Sequence, residues 1–304
     1  MRNAPGSEKR PIGVFVGLAT LDVIHRIAEP PEVNQKITST AQFVSAGGPA
    51  ANAAVTFAAL GGVATLVTAL GDEPVADLIR ADLTTHGVEV IDAAQGATRP
   101  VPVSSVSVVE STGDRSVVSL DAVSSEAAPP AHLDDVVGGA GVLLVDGHHP
   151  VIAGAAVRHA AAHAVPVVVD AGRWKPVMND LIEYATDMVC SNDFRVPDTD
   201  GPRSTATALV SSGVRTVVTT HGADPVDWWS DGQSGSVPVP AVRAVDTLGA
   251  GDVFHGAYCF YPERLGIVER IQRSAQVAAL RCSIVGPRAW LRELSALQTG
   301  RDGR

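Results

Sequence analysis

With 304 residues, a formal charge of −10 and 45% apolar residues, the chain can fold as one large α/β domain with a small accessory element, or as two modest domains. The acidic balance argues against a nucleic-acid partner, which normally needs a basic face. No run approaches the ~20 apolar residues of a membrane-spanning helix.

Met1 to Arg10 is polar and lacks the apolar core of a signal peptide, and the ends before Pro11 and after Gln298 read as frayed. Ile12 to Leu18 is a short apolar run suited to a buried strand. It runs into Gly17-Leu18-Ala19-Thr20-Leu21-Asp22, which lacks the G-x-G-x-x-G spacing of a dinucleotide turn. Gln35 to Ser45 follows Pro30-Pro31 and alternates imperfectly, as an exposed strand would. Gly47-Gly48-Pro49 then leads into an Ala-rich helix ending before Gly61-Gly62, with Pro49 in the first turn, where its missing N–H costs nothing.

From Ala64 the order is strand, helix, strand: Ala64 to Leu70, Pro74 to Thr85, Val88 to Ile91. Val101 to Glu110 alternates well, turns at Ser111 to Asp114 and returns as Arg115 to Leu120, a hairpin with one wet face. Strands follow at Val142 to Val145, Pro166 to Asp170, Met188 to Cys190 and Thr216 to Thr220. Helices fill the gaps near Ile152 to His163, Pro176 to Tyr184 and Ser204 to Ser212. Such alternation predicts a doubly wound, three-layer α/β fold on a mostly parallel sheet, with ligands at the carboxyl ends of strands. Asp22, Asp146, Asp170 and Asn192 are all expected there. Trp228 and Trp229 fall on a late edge hairpin, suited to covering the sheet. Cys190, Cys259 and Cys282 sit in apolar surroundings without metal-ligand spacing, which points to reduced thiols in a cytoplasmic protein.

The stretch richest in chemistry is Asp246-Thr247-Leu248-Gly249-Ala250-Gly251-Asp252, leading into a helix from Val253 to Phe260. Glycines at 249 and 251 clear space for a ligand, and the first N–H groups of the helix form an anion site. A carboxylate there repels phosphate, so Asp252 either caps the helix or takes a proton. His159 and His163 share a helix face, but no third ligand stands at zinc spacing, and a solvated face is the default.

The run D-T-L-G-A-G-D resembles the C-terminal signature of the ribokinase-like (PfkB) sugar kinases, and Gly47-Gly48-Pro49-Ala50-Ala51-Asn52 resembles their N-terminal G-G-x-x-A-N. The resemblance spans about 12–286 and implies a single ribokinase-like domain over 11–298, with strands at about 35–45 and 101–120 inserted as a β-sheet lid that pairs two subunits into a homodimer. It assigns Asp252 as base, with Gly249, Ala250 and Gly251 as the anion hole. Asp22, Gly47, Gly48 and Asn52 become sugar ligands, and ATP with Mg²⁺ the phosphoryl donor.

Asn192, Thr220 and Gly222 match the family's nucleotide motifs, and Ala279 and Cys282 either line the adenine pocket or are core residues. Arg195 replaces the acid of N-x-x-E, which leaves the metal ligands open, and Pro225 replaces a glycine of the nucleotide turn. His148 and His149 are placed beside the sugar. Within the family the motifs are nearest to ketohexokinase and sulfofructose kinase, which implies a ketohexose or derivative as acceptor. The alternatives are a nucleoside kinase, or a sugar-binding regulatory protein without catalysis.

Overall fold

The computed structural model describes residues 9–122 and 127–294. The end of the expected domain, 295–298, lies outside them. The chain forms β1 (Ile12–Val16), β2 (Thr20–Ile27), β3 (Ala41–Gly47), α1 (Pro49–Ala59), β4 (Val63–Thr68), α2 (Pro74–Thr85) and β5 (Val88–Asp92). The hairpin β6 (Val103–Val109) and β7 (Arg115–Ser119) follows. The second series is α3 (Leu133–Gly138), β8 (Val142–Val145), α4 (Pro150–Ala162), β9 (Val167–Ala171), α5 (Met178–Ile182), β10 (Asp187–Ser191), α6 (Pro202–Ser211) and β11 (Thr216–His221). The chain closes with the hairpin β12 (Asp224–Ser230) and β13 (Gln233–Val237), then α7 (Ala250–Phe260) and α8 (Ile267–Cys282).

Nine strands make the main sheet in the order β13-β12-β11-β10-β9-β8-β1-β4-β5, parallel from β11 to β5. The parallel strands are apolar on both faces because helices cover both. Phe15, Leu66, Leu144 and Val168 face one way, into a core shared with α1, α2, α7 and α8. Val14, Val16, Leu143, Val145, Val167 and Val169 face the other, against α3, α4 and α6. Trp228 packs against the first core and Trp229 against the second, so the pair covers both sides of the sheet's antiparallel edge.

A second sheet of four strands runs β3-β2-β6-β7. Both predicted lid regions contribute to it, although β3 starts only at Ala41. Its central strand β2 is the correction. Asp22 does not sit in a loop at the end of β1; it lies within β2, paired with Ser45 and Ser104 on its neighbours. Thr20, Asp22, Ile24 and Arg26 all turn to the buried face, and the polar ones among them mask the period-2 signal. Ile24, Val106 and Val108 pack with Phe43 and Leu248, so this sheet rests on the loop that precedes α7.

Candidate active site

Two helices that meet face to face build the site. Gly256 of α7 lies so near α1 that an added Cβ would stand 2.3 Å from the Ala53 carbonyl. This approach brings Asn52 of α1 to Asp252 of α7, with Asn52 Nδ2 donating to Asp252 Oδ2 at 2.8 Å. Gly249, at φ +71°, is the residue before the helix, in a left-handed conformation that costs glycine little. Asp252 is therefore the third helical residue, which removes the N-cap reading: no side chain caps α7.

The first N–H groups of α7 have no partner within the helix. That of Ala250 turns back to the Thr247 carbonyl at 3.3 Å, whereas those of Gly251 and Asp252 find no backbone acceptor among the described residues. A Cβ on Gly251 would meet nothing within 4 Å, so the approach to these donors is open. Burial pushes the Asp252 carboxyl up to about 6, with help from the Asp170 carboxylate; the Asn52 hydrogen bond, His255 and Arg115 oppose the rise.

Asp246 knots the loop before the helix. Its carboxylate accepts from Leu248 N at 3.1 Å, from Gly286 N at 2.9 Å and from Arg281 Nη2 at 3.0 Å. Arg281 Nη1 donates to the Asp246 carbonyl at 3.3 Å, and both side chains are buried. From the small sheet, Gly113 accepts the Thr247 hydroxyl at 2.8 Å. The turn before α7 is thus fixed from beneath by α8 and from above by the β6–β7 hairpin.

Asp22, Ser45, Asn52, Leu248, Gly249 and Arg288 line one cleft. Asp22 is buried and accepts from the Thr20 hydroxyl at 2.6 Å. Burial raises its carboxyl above the ordinary value, against hydrogen bonds from Thr20 and Ser104 and the charge of Arg288. A Cβ on Gly47 would stand 2.0 Å from Asp22 Oδ2, so a side chain there would evict the carboxylate. Gly48, at φ +98°, faces the Leu18 carbonyl, which a Cβ would approach to 2.3 Å.

Sequence reasoning missed Arg288. Its guanidinium donates to Asn52 Oδ1 at 3.0 Å, to the Ala46 carbonyl at 2.8 Å and to Asp82 at 3.1 Å. The first of these bonds fixes the Asn52 amide so that its nitrogen faces Asp252. Partners some 200 residues apart leave no local pattern.

Asn192 and His221 line a second cleft beyond the carboxyl ends of β10 and β11, with Asn192 Oδ1 2.9 Å from His221 Nδ1. Thr220 is the last but one residue of β11, with its hydroxyl 3.4 Å from the Cys190 carbonyl, and Gly222, at φ +67°, turns the chain into β12. Ala279 is buried on α8; Cys282 is half-buried, and its carbonyl accepts from Val245 N at 2.8 Å. Arg195 folds back on its own turn, donating to the carbonyls of Asn192 and Phe194 at 2.6 and 2.7 Å.

His148 and His149 do not line the Asp22 cleft. The His148 ring nitrogen lies 3.0 Å from Asp146 Oδ1, and His149 is buried with Nε2 3.5 Å from the Thr68 hydroxyl. His159 and His163 both reach Asp134, at 2.7 and 3.1 Å. No group of three or more His, Cys, Asp and Glu that could hold a metal occurs among the described residues. Nor is any described helix long and apolar enough to cross a membrane.

Open N–H groups at a helix start, a raised carboxylate beside them and a polar cleft next to both meet on a doubly wound sheet. The family model for pfkB carbohydrate kinases matches residues 14–292, and the chain belongs to that family as an ATP-dependent carbohydrate kinase. A deoxyribokinase of Salmonella typhi is 27% identical over 287 residues, 87% of this chain and 90% of the relative. An ATP-dependent ribose-1-phosphate kinase of Halopiger xanaduensis is 30% identical over 258 residues, 80% of this chain and 81% of the relative. The solved ribokinase of Arabidopsis thaliana, complexed with ribose and ATP, superposes with a TM-score of 0.73 at 21% identity, over 94% of this chain and 98% of that one. The ribokinase-like fold read from the sequence is thereby established.

Proposed function

We propose that the protein transfers the γ-phosphoryl group of ATP to a hydroxyl of a ketohexose or ketohexose derivative, with Asp252 as general base. The ketohexose rests on the sequence motifs alone; the observation that supports the phosphoryl transfer is the junction of α1 and α7. There a carboxylate raised to about 6 and steadied by Asn52 at 2.8 Å borders the free N–H groups of Gly251 and Asp252. Asp252 takes the proton of the sugar hydroxyl as its oxygen bonds to the γ-phosphorus. The bond from that phosphorus to the β-bridging oxygen breaks, and ADP leaves with the electron pair.

The open N–H groups of Gly251 and Asp252, presented by the Gly249-Ala250-Gly251 turn, receive the charge that spreads over the transferring group; one such donor is typically worth about 2.7–4 kcal/mol of barrier. Asp22, the Gly47-Gly48 backbone and Asn52 hold the sugar. Asn192, Thr220 and Gly222 attend the nucleotide phosphates, and Ala279 and Cys282 border its base. Mg²⁺ would come with ATP and neutralise charge on its phosphates, with Asp193, another carboxylate, or phosphate and water alone completing its shell. A cytoplasmic setting supplies the nucleotide.

The second reading is a pentose acceptor, favoured by the deoxyribokinase and the ribose-1-phosphate kinase among the relatives. Arg288 beside Asn52 makes acceptors with an anionic substituent worth including. The deciding experiment is ADP release from MgATP across ketohexoses, sulfofructose, pentoses, ribose 1-phosphate and nucleosides, with Asp252→Asn as control. Turnover on ketohexoses or sulfofructose, lost in the variant, supports the first reading; turnover on pentoses or ribose 1-phosphate supports the second. Silence on every sugar, while sugars still raise the melting temperature, would favour a binding protein.

A further inference from the structure

His255 is buried one turn along α7 from Gly251, and both of its ring nitrogens face oxygen. Nδ1 lies 2.7 Å from the Gly251 carbonyl, and Nε2 lies 3.1 Å from the Val189 carbonyl of β10 and 3.5 Å from Asp170 Oδ1. A carbonyl only accepts, so each ring nitrogen needs its own proton to make these contacts. Turning the ring over would set Cδ2 and Cε1 against these oxygens and forfeit both contacts, so the orientation present is the one that satisfies the two carbonyls. A neutral imidazole, with one N–H, would leave a lone pair against a carbonyl in a dry site. The counter-charge is present: Asp170 of β9 is buried with Oδ1 towards the ring, and its Oδ2 has no hydrogen-bond partner among the described residues.

We propose that His255 is a buried imidazolium that acts as a positioning residue for the phosphoryl-binding turn, charging it from behind. The reading rests on the kinase function given above. Its chemistry runs through one peptide group. The Gly251 carbonyl that accepts from the ring belongs to the same amide as the Asp252 N–H. A charged donor on that oxygen draws electron density through the amide and makes the N–H a stronger donor to the transferring group. The contact to Val189 also ties the first turn of α7 to the main sheet.

The groups that face His255 are the Asp170 carboxylate and Val189 carbonyl from the sheet, and Asp252 and the Gly251 carbonyl from its own helix. Behind Asp170 stand Asp146, Lys175 and His148. Burial alone would favour the neutral ring, but Asp170, the two carbonyls and Asp252 together raise it above the ordinary histidine value. The same charge restrains the rise of Asp252, so base and turn are set together.

The test has a spectroscopic arm and a kinetic arm. In protein carrying ¹⁵N-histidine, both His255 nitrogens should bear protons at about pH 7.5, where an unperturbed histidine is mostly neutral. Assignment comes from the signal lost in His255→Asn. That variant keeps a polar group and loses the charge. It should hold KM for MgATP near the wild-type value, lower kcat about 10- to 100-fold, and move the acid limb of kcat to higher pH.

Where the unpaired Asp170 prevents folding, Asp170→Asn/His255→Asn removes both charges and should show the same kcat loss at a recovered melting temperature. A neutral His255 ring in the wild type overturns the proposal. So does a folded variant with unchanged kcat and an unmoved limb. Wild-type protein silent on every sugar would overturn the kinase reading, and the role of His255 with it, while the spectrum still reports the charge by itself.

Discussion

A single carboxylate sets the pH range of the proposed reaction. Asp252 titrates near 6 because burial and the neighbouring Asp170 disfavour its charge. A base works only when ionised, so kcat/KM should fall as pH drops through about 6, well above the ordinary carboxylate range. A pH–rate profile checks this, and a limb near 4 would show that Asp252 is solvated or is not the base. Asp252→Asn should retain nucleotide binding and lose turnover by orders of magnitude. At the neighbouring cleft, Gly47→Ala should raise the sugar KM sharply, since its Cβ would land 2.0 Å from Asp22 Oδ2. KM for MgATP, read in parallel, should stay near the wild-type value.

These positions were legible in the sequence because each lies in a short run whose residue types make sense together. Arg288 with Asp82, Arg281 with Asp246, and His255 with Asp170 were not, because each pair forms only when distant elements meet. The two histidines past β8 read as sugar neighbours for the opposite reason. Proximity in the chain placed them at a strand end, but His148 turns to Asp146 and His149 is buried near Thr68.

Between elements, the packing of α1 on α7 carries the proposed chemistry, and one missing side chain permits it. Gly256→Ala would place a Cβ 2.3 Å from the Ala53 carbonyl and 2.7 Å from Thr56 Cβ. Backbone cannot yield as a side-chain tip can, so the helices must part. Overpacking of this kind typically costs about 1–3 kcal/mol, which urea unfolding would read. Because Asn52 and Asp252 sit on the two helices, kcat should fall with stability, and a variant that loses neither would refute the coupling. Among the elements, the apolar parallel strands were plain from composition, since burial on both faces leaves unbroken runs of Val and Leu. Strand β2 was hidden because its buried face carries Thr20, Asp22 and Arg26, residues placed there for polar work. Local apolar pattern marks where a chain packs, and it fails where a strand serves a site.

For the whole molecule, the small sheet poses the question of its outer face. Its inner face rests on Leu248. Across its other face Val44, Val23, Ser105 and Val118 form one row through the paired strands, with Val44 55% and Val118 75% exposed. Large exposed valines aligned on a face that no other described element covers suit an association surface. A second copy of the chain is the proposed occupant, in keeping with the homodimer expected from the lid. Light scattering should find a dimer, and Val44→Asp/Val118→Lys should find a monomer. The consequence for activity follows from the same hairpin. Gly113 accepts from Thr247 just before the anion turn, so loosening the sheet loosens the loop that carries the proposed anion hole. The monomeric variant should therefore lose kcat as well as affinity for sugar. A wild-type monomer, or a variant that stays dimeric, would sink the interface; a monomer with full kcat would cut the link between assembly and chemistry.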